Sequence, residues 1–137
     1  MKKSFNHKIK VYYEDTDAGG VVYYANYLKF LERARSEALS EVGLSNLKIK
    51  KDYGALIVVK SCNIDFNKSA HLEDKLEINS FVTSFSKTSF TMSQSIYRNK
   101  DIIVKSEVHL VFVNEKSKPI KIPENILKSL KPFLFIN

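Results

Sequence analysis

The sequence predicts an α+β protein in which a five-stranded antiparallel sheet curls around one long central helix. Apolar and polar residues alternate in five segments, which is the period of half-buried strands. One long segment without Gly or Pro carries apolar side chains at helical spacing. Hairpin-length turns separate the last four strands, so we expect those strands to be antiparallel neighbours.

The chain length favours one domain over residues 1–137. A chain of 137 residues buries about two-thirds of its unfolded surface but is too short for two independent cores. Its 44% hydrophobic and 27% charged residues are typical of an ordered globular protein.

The first element should be a strand followed by a tight turn. Residues 8–14 alternate, with Ile9, Val11 and Tyr13 on one face. The run from Asp15 to Gly20 is turn-forming, and its adjacent glycines let the backbone approach a ligand closely.

The long helix is predicted over residues 21–42, ending at Gly43 as its C′ residue. The residues that recur at three- and four-residue spacing are Leu28, Leu31, Arg35, Ala38, Leu39 and Val42. Residues 21–28 are apolar or aromatic nearly all round, so we expect this half of the helix to be buried on most sides.

Four further strands follow, each defined by apolar residues of one parity: Leu56, Val58, Cys62, Ile64 and Phe66; Leu76, Ile78 and Val82; Phe90, Met92 and Ile96; Val104, Val108, Leu110 and Phe112. On this pattern Cys62 is interpreted as a core residue rather than a nucleophile. A short amphipathic helix is expected after Pro123, and the apolar tail of residues 133–136 is expected to pack on its own domain or on a partner subunit.

The net charge of +7 favours anionic partners but does not select one. The lysines are scattered rather than gathered into a stripe interleaved with aromatics, so no nucleic-acid partner is expected. A solvated basic surface without a partner explains the charge equally well.

The cysteine count and the hydropathy pattern favour a cytoplasmic protein. Cys62 is the only cysteine, which excludes an intrachain disulfide. Residues 4–14 form no signal-peptide core, and no run of about 18 apolar residues exists, so no stable membrane insertion is expected.

Asp17 is the candidate catalytic residue. It follows a strand, lies in the glycine-containing turn and precedes the predicted helix, whose free N–H groups and positive end suit a developing oxyanion. A carboxylate there could activate water or attack an acyl carbon. The alternative is an Asp that only caps the helix or turn. Glu14 and Asp15 lie close by, and spacing alone does not choose among the three.

A resemblance gives this segment a more specific meaning. Residues 13–35 closely resemble the signature of the 4-hydroxybenzoyl-CoA thioesterase family, and most nearly its YbgC-like, Tol-Pal-associated acyl-CoA thioesterases; they read YEDTDAGGVVYYANYLKFLERAR. The resemblance continues more weakly through residues 65–74, which read DFNKSAHLED. It implies the hot-dog fold and an enzyme that hydrolyses acyl-coenzyme A thioesters.

The same resemblance implies roles for particular residues. Asp17 would be the catalytic nucleophile or general base, and the backbone N–H near Tyr24 would bind the thioester carbonyl. The candidate substrate-binding residues are Gly20, Val21, Tyr24 and Tyr27. Coenzyme A would be part of the substrate, so no separate cofactor is expected.

This chain departs from the group at two positions. Many members have His where this chain has Tyr24, so Tyr24 is a candidate by its backbone alone. Residues 69–71 often read Pro-Ala-Arg in the group, but here they read Ser-Ala-His, which removes a basic contact to coenzyme A. Other candidate contacts to its phosphates are Lys60, Lys68, Lys87 and Arg98.

Several alternatives stay open. Sites of this family form between subunits, which implies a homodimer or homotetramer. An acyl-carrier-protein thioesterase or a non-catalytic acyl-thioester-binding protein is the alternative function. A hot-dog hydratase would need a His near the helix start, where none occurs. Glu32 is interpreted as an ion-pair partner of Arg33, Arg35 or a neighbouring chain, and the dispersed His residues predict no metal site.

Overall fold

A computed structural model describes residues 3–135, in which five strands and three α-helices occur. In chain order they are β1 (Phe5–Lys10), α1 (Asn26–Glu41), α2 (Asn46–Tyr53), β2 (Leu56–Phe66), β3 (Lys75–Phe85), β4 (Ser89–Arg98), β5 (Asp101–Val113) and α3 (Glu124–Leu130). Two 3₁₀ turns, Tyr13–Asp15 and Lys131–Phe133, complete the described elements.

All five strands form one antiparallel sheet with the order β1-β3-β4-β5-β2. Apolar residues meet across the central strands, where Ile78 of β3 pairs with Ile96 of β4 and Met92 of β4 pairs with Val108 of β5. The predicted five-stranded antiparallel sheet with one long helix is therefore confirmed.

Helix α1 packs on the sheet through two apolar clusters. Phe30 and Leu31 in its first half join Ile78 and Ile96, and Ala38 in its second half joins a cluster that includes Met92, Phe112 and Ile126. These side chains are almost fully buried. Each large one contributes about 1.5–3 kcal/mol by leaving water, so α1 owes its stability mainly to this packing.

The predicted start of the long helix was wrong. α1 begins at Asn26, because Val21 and Val22 form β-bridges with His71 and Thr16 instead. The Val22 N–H donates to the Ala70 carbonyl at 2.8 Å, a bond that a helix would not allow. The predicted end was right, since Gly43 follows the C-cap with a φ of 79°.

The predicted burial of this segment was only partly right. Tyr27 is buried, but Tyr24 is 62% exposed and Tyr23 is 48% exposed. Both tyrosines precede α1, in the turn that leads into it, so neither lies on the face that packs against the sheet.

Strand β2 also differs from its predicted role as a core strand. Within residues 3–135 it pairs only with β5 and forms one edge of the sheet, and Leu56, Val58 and Phe66 are at least 40% exposed. Cys62 is exposed as well, so its assignment to the core was wrong. Burial of part of the thiol raises its pKa, while Arg35 opposes this, so Cys62 is no activated nucleophile.

Helix α2 was not predicted, although its capping residues are visible in the sequence. The Ser45 hydroxyl accepts a 3.0 Å hydrogen bond from the Lys48 N–H, and Gly54 ends the helix with a φ of 61°. Only Ile49 of this helix is buried, so its apolar periodicity is weak.

The described part of the apolar tail packs on its own domain. Phe133 stacks on Phe5 with ring centroids 3.7 Å apart, and Phe135 stacks on Phe81 at 4.2 Å. Ile136 lies outside the described residues. Among residues 3–135, no helix has the length and apolar character needed to cross a membrane.

Candidate active site

Asp17 lies at the start of a tight hairpin between Thr16 and Val22. Its N–H donates to the Val21 carbonyl at 2.9 Å, and its carbonyl accepts from the Gly20 N–H at 3.1 Å. Gly20 has a φ of 79°, a conformation that favours glycine. The hairpin therefore holds the backbone of Asp17 in one position.

The carboxylate of Asp17 is exposed and oriented by the same hairpin. Its Oδ1 accepts a 2.8 Å hydrogen bond from the Gly19 N–H, and Oδ2 has no partner in residues 3–135. Asp17 does not cap α1, whose N-cap residue is Ala25. Asp17 therefore caps only the turn, through Oδ1, and its Oδ2 is available for chemistry.

Asp15, by contrast, has a structural role through its hydrogen bonds. Its side chain is buried, and its Oδ2 accepts a 2.9 Å hydrogen bond from the Tyr12 N–H. Its carbonyl accepts from the Tyr23 N–H at 3.0 Å and from Asn26 Nδ2 at 2.9 Å. Of these two aspartates, only Asp17 faces solvent.

Two backbone N–H groups just before α1 have no partner in the described chain. Asn26, Tyr27 and Leu28 donate back to the residues three positions earlier, but Tyr24 and Ala25 donate to no acceptor within residues 3–135. The positive end of the α1 dipole adds to the positive potential of these N–H groups. The turn around Tyr24 can therefore accept an anion or a polarised carbonyl oxygen.

Tyr27 connects α1 to the segment that follows β2. Its hydroxyl oxygen accepts a 2.9 Å hydrogen bond from the Ala70 N–H, and the ring is buried. Burial raises the pKa of Tyr27, and the Ala70 N–H partly offsets the rise. Ala70 and Leu72 in turn bond the backbones of Val22 and Gly20. The hairpin and the helix start thus share one anchor.

An aromatic group lies beside this anchor. The centroid of the Phe66 ring lies 5.9 Å from that of Tyr24, edge-on, and 5.8 Å from that of Tyr27. The ring centroids of Tyr23 and Tyr24 are 5.1 Å apart. Phe66 is 46% exposed. The alternation along β2 groups Phe66 with core residues, but Phe66 lies beside Tyr24 because β2 is an edge strand, which no local pattern reveals.

The candidate phosphate contacts differ in how they are engaged. Arg98 Nη1 donates to Asp74 Oδ2 at 2.7 Å and to the Ser69 carbonyl at 3.1 Å, and Lys68 pairs with Asp101 at 3.2 Å. Burial raises the pKa of Asp74, but the bonds from Arg98 and the His71 N–H outweigh it and hold the pKa below its usual value. Lys60 and Lys87 form no ion pair in the described chain.

Comparisons with known proteins identify the family. A family model described as the thioesterase-like superfamily matches residues 11–130. The acyl-CoA thioester hydrolase YbgC of Escherichia coli O157:H7 is 38% identical over 129 residues, covering 93% of this chain and 96% of that protein. The acyl-CoA thioesterase YbgC of Haemophilus influenzae is 35% identical over 127 residues, covering 92% and 93%.

Solved structures have the same fold. A probable thioesterase from Bartonella henselae superposes with a TM-score of 0.85 at 31% identity, covering 88% of this chain and 100% of that one. A 1,4-dihydroxy-2-naphthoyl-CoA thioesterase from Synechocystis superposes with a TM-score of 0.87 at 25% identity, covering 94% and 96%.

Proposed function

The chain belongs to the thioesterase-like superfamily. We propose that it hydrolyses acyl-coenzyme A thioesters with Asp17 as its catalytic carboxylate. The family resemblance inferred from residues 13–35 is confirmed, as is the predicted hot-dog fold. The observation that supports the site above all is that Asp17 Oδ2 in the hairpin and the N–H groups of Tyr24 and Ala25, which follow the hairpin, have no partner within residues 3–135.

The chemistry requires a nucleophile and a place for negative charge. In the general-base route, Asp17 takes a proton from water while that water attacks the acyl carbon, and the Tyr24 N–H stabilises the oxyanion. The C–S bond then breaks, and the products are the carboxylic acid and the coenzyme A thiol.

In the nucleophilic route, Asp17 Oδ2 attacks the acyl carbon directly and expels the thiolate. Water then hydrolyses the resulting anhydride, so the overall balance is the same. Gly20, Val21, Tyr24 and Tyr27 remain the candidate residues around the acyl group.

Coenzyme A is the preferred carrier because the two YbgC relatives described above are named for acyl-CoA. An acyl carrier protein presents a thioester of the same chemistry and is the alternative. Non-catalytic binding of an acyl thioester is the second alternative.

We further propose that the protein works as a homodimer or homotetramer. β2 is an edge strand with exposed apolar side chains at Leu56, Val58 and Val59. Such an edge invites pairing with a second copy, which would cover these residues.

The test is release of free thiol from a panel of acyl-coenzyme A substrates of increasing chain length. Wild type should turn over, and Asp17→Asn should lose about a hundredfold or more at equal folded concentration. Glu14→Gln is the matched control, because Glu14 is an exposed carboxylate of the same segment. An Asp17→Asn variant as active as wild type would disprove the assigned site. No wild-type turnover on any substrate would disprove the activity.

A further inference from the structure

A concave region lies on the face of the sheet that points away from α1. It encloses about 480 Å³ and is lined by residues of β1, β3, the end of β4 and the turn into β5. Ile9, Leu76 and Ile96 on these strands belong to or pack against the apolar cluster under α1. Because side chains alternate along a strand, the residues between them point to the opposite face. Asp17 and the candidate substrate-binding residues do not line this region.

The strand register places three lysines next to one another in this region. Lys10 of β1 is directly opposite Lys75 of β3, and Lys8, two residues earlier on the same face, is opposite Glu77. Directly opposite side chains of an antiparallel pair have Cβ atoms about 4.5–5.5 Å apart. Residues two apart along a strand are separated by about 6.5 Å. The three flexible lysine side chains can therefore contact one ligand.

These lysines have no counter-ion in the described chain. Within residues 3–135, no carboxylate oxygen lies within 4.0 Å of the ammonium groups of Lys8, Lys10 or Lys75. Like charges directly opposite each other destabilise a strand pair. Three lysines and one carboxylate, Glu77, line the region, so its formal net charge is +2. A bound dianion would offset the repulsion between Lys10 and Lys75.

The remaining polar side chains suit the organic part of a ligand. Tyr97 of β4 is directly opposite Glu77 on the same face and is partly exposed. Asn99, in the turn between β4 and β5, is exposed and offers both amide donors and an acceptor. An aromatic ring of this kind stacks on planar groups such as nucleobases. The enclosed volume lies within the range of about 300–1,000 Å³ that is usual for small-molecule sites.

We propose that this region binds a small soluble phosphate monoester, with the phosphate between Lys10 and Lys75 and a planar organic group beside Tyr97. A phosphate monoester carries about −1.5 to −2 charges at pH 7, which matches the formal charge of the lining. Its oxygens accept charge-assisted hydrogen bonds from ammonium groups, and Lys8 supplies a third donor. This binding goes beyond thioester hydrolysis and does not depend on it.

Calorimetric titration with adenosine monophosphate at low ionic strength tests the proposal. Inorganic phosphate is the probe without a planar group, and adenosine is the probe without a charge. Adenosine monophosphate should bind more tightly than either. Lys75→Gln should weaken its binding about tenfold or more, because one charged hydrogen-bond donor is lost. Tyr97→Ser should weaken it about fivefold or more through lost stacking, but should leave the binding of inorganic phosphate unchanged. Glu77→Gln should tighten binding, since it removes a repelling carboxylate.

Lys105→Gln is the matched control for the charge. Lys105 is an exposed lysine on the same face of the sheet, on β5, and it does not line the region. This variant loses the same net charge as Lys75→Gln and should bind adenosine monophosphate like wild type. No binding by wild type, or equal weakening by Lys75→Gln and Lys105→Gln, would overturn the proposal.

Two further measurements separate this ligand from other sources of phosphate. Lys75→Gln should hydrolyse acyl-coenzyme A with the KM of wild type, and Asp17→Asn should bind adenosine monophosphate like wild type. A KM that rose in Lys75→Gln as adenosine monophosphate binding fell would assign the region to the thioester substrate and refute a separate ligand. Retention of wild type on phosphatidylcholine vesicles containing phosphatidic acid, without binding of adenosine monophosphate, would assign the phosphate to a lipid and refute a soluble ligand.

Discussion

The hydroxyl oxygen of Tyr27 on α1 accepts a 2.9 Å hydrogen bond from the backbone N–H of Ala70. The Ala70 carbonyl accepts in turn from Val22, at the end of the hairpin that carries Asp17. These two hydrogen bonds connect the start of α1 to the hairpin that carries Asp17. We therefore expect Tyr27 to help hold this hairpin against the start of α1.

Tyr27→Phe should destabilise the protein by about 1–3 kcal/mol, because it leaves the buried Ala70 N–H without an acceptor. Urea unfolding followed by circular dichroism measures the loss. Tyr53→Phe is the matched control, since Tyr53 is an exposed residue of α2 with no hydrogen bond from its hydroxyl in the described chain. Equal unfolding free energies for the two variants would contradict the anchoring role of Tyr27.

The sequence predicted the sheet, the end of α1 and the family, because each depends on a local pattern. The start of α1 was different. The apolar pair Val21 and Val22 is compatible with a helix or a strand. The extended pairing is stabilised by the hydrogen bond from the Val22 N–H to the carbonyl of Ala70, a residue distant in sequence. Tertiary contacts override local propensity in this way.

The exposure of β2 and the hydrogen bond from Arg35 to Gln94 were beyond sequence reasoning for a related reason. Alternation along β2 predicts an apolar face but does not say what covers it, and in this chain an edge position leaves it open. Arg35 and Gln94 are 59 residues apart, so only the assembled sheet brings them together. Asp17 stays the predicted catalytic residue, and its distinction from Asp15 required the burial of Asp15.

Gly20→Ala should reduce thiol release about tenfold or more, because alanine disfavours the φ of 79° and the strain would shift Asp17. The Cβ itself meets no atom within 4 Å, so the effect comes from the backbone and not from a clash. Specific activity at equal folded concentration is the measurement.

Gly54→Ala provides the comparison for that experiment. Gly54 ends α2 with a φ of 61° and equally open surroundings. Gly54→Ala should lower the free energy of unfolding about as much as Gly20→Ala does, without changing activity per folded molecule. If the two alanine variants were equally active, the hairpin geometry at Gly20 would not control the reaction.

Asp74→Asn should change how stability depends on pH. The pKa of Asp74 is lowered in the folded protein, so the ionised carboxylate stabilises the fold above the ordinary carboxyl pKa of about 4. This contribution is lost as the pH falls through the lowered folded value. The urea midpoint of the variant should therefore lie below that of wild type at pH near 7, and the gap should close on acidification.

The pair of Lys68 and Asp101 supplies the control for that titration. Both side chains are 54% exposed, so solvent screens their attraction and Asp101→Asn should have little effect on the urea midpoint. A gap between wild type and Asp74→Asn that persisted at the lowest pH would show that the carboxylate charge is not its cause.

Val58→Lys should dissociate the oligomer that we propose. Val58 is 41% exposed on β2, which has no second strand partner in residues 3–135, and a lysine there would place charge where a second copy should pack. Light scattering after size exclusion should give a dimer or tetramer for wild type and a monomer for the variant.

Lys8→Glu, which changes a charge on the opposite edge strand β1, should leave the mass unchanged. The family resemblance implies a site between subunits, so we expect thiol release to fall with the loss of the oligomer. A wild-type protein that is monomeric at working concentration would refute assembly through β2, and a fully active monomeric variant would show that one chain holds the complete site.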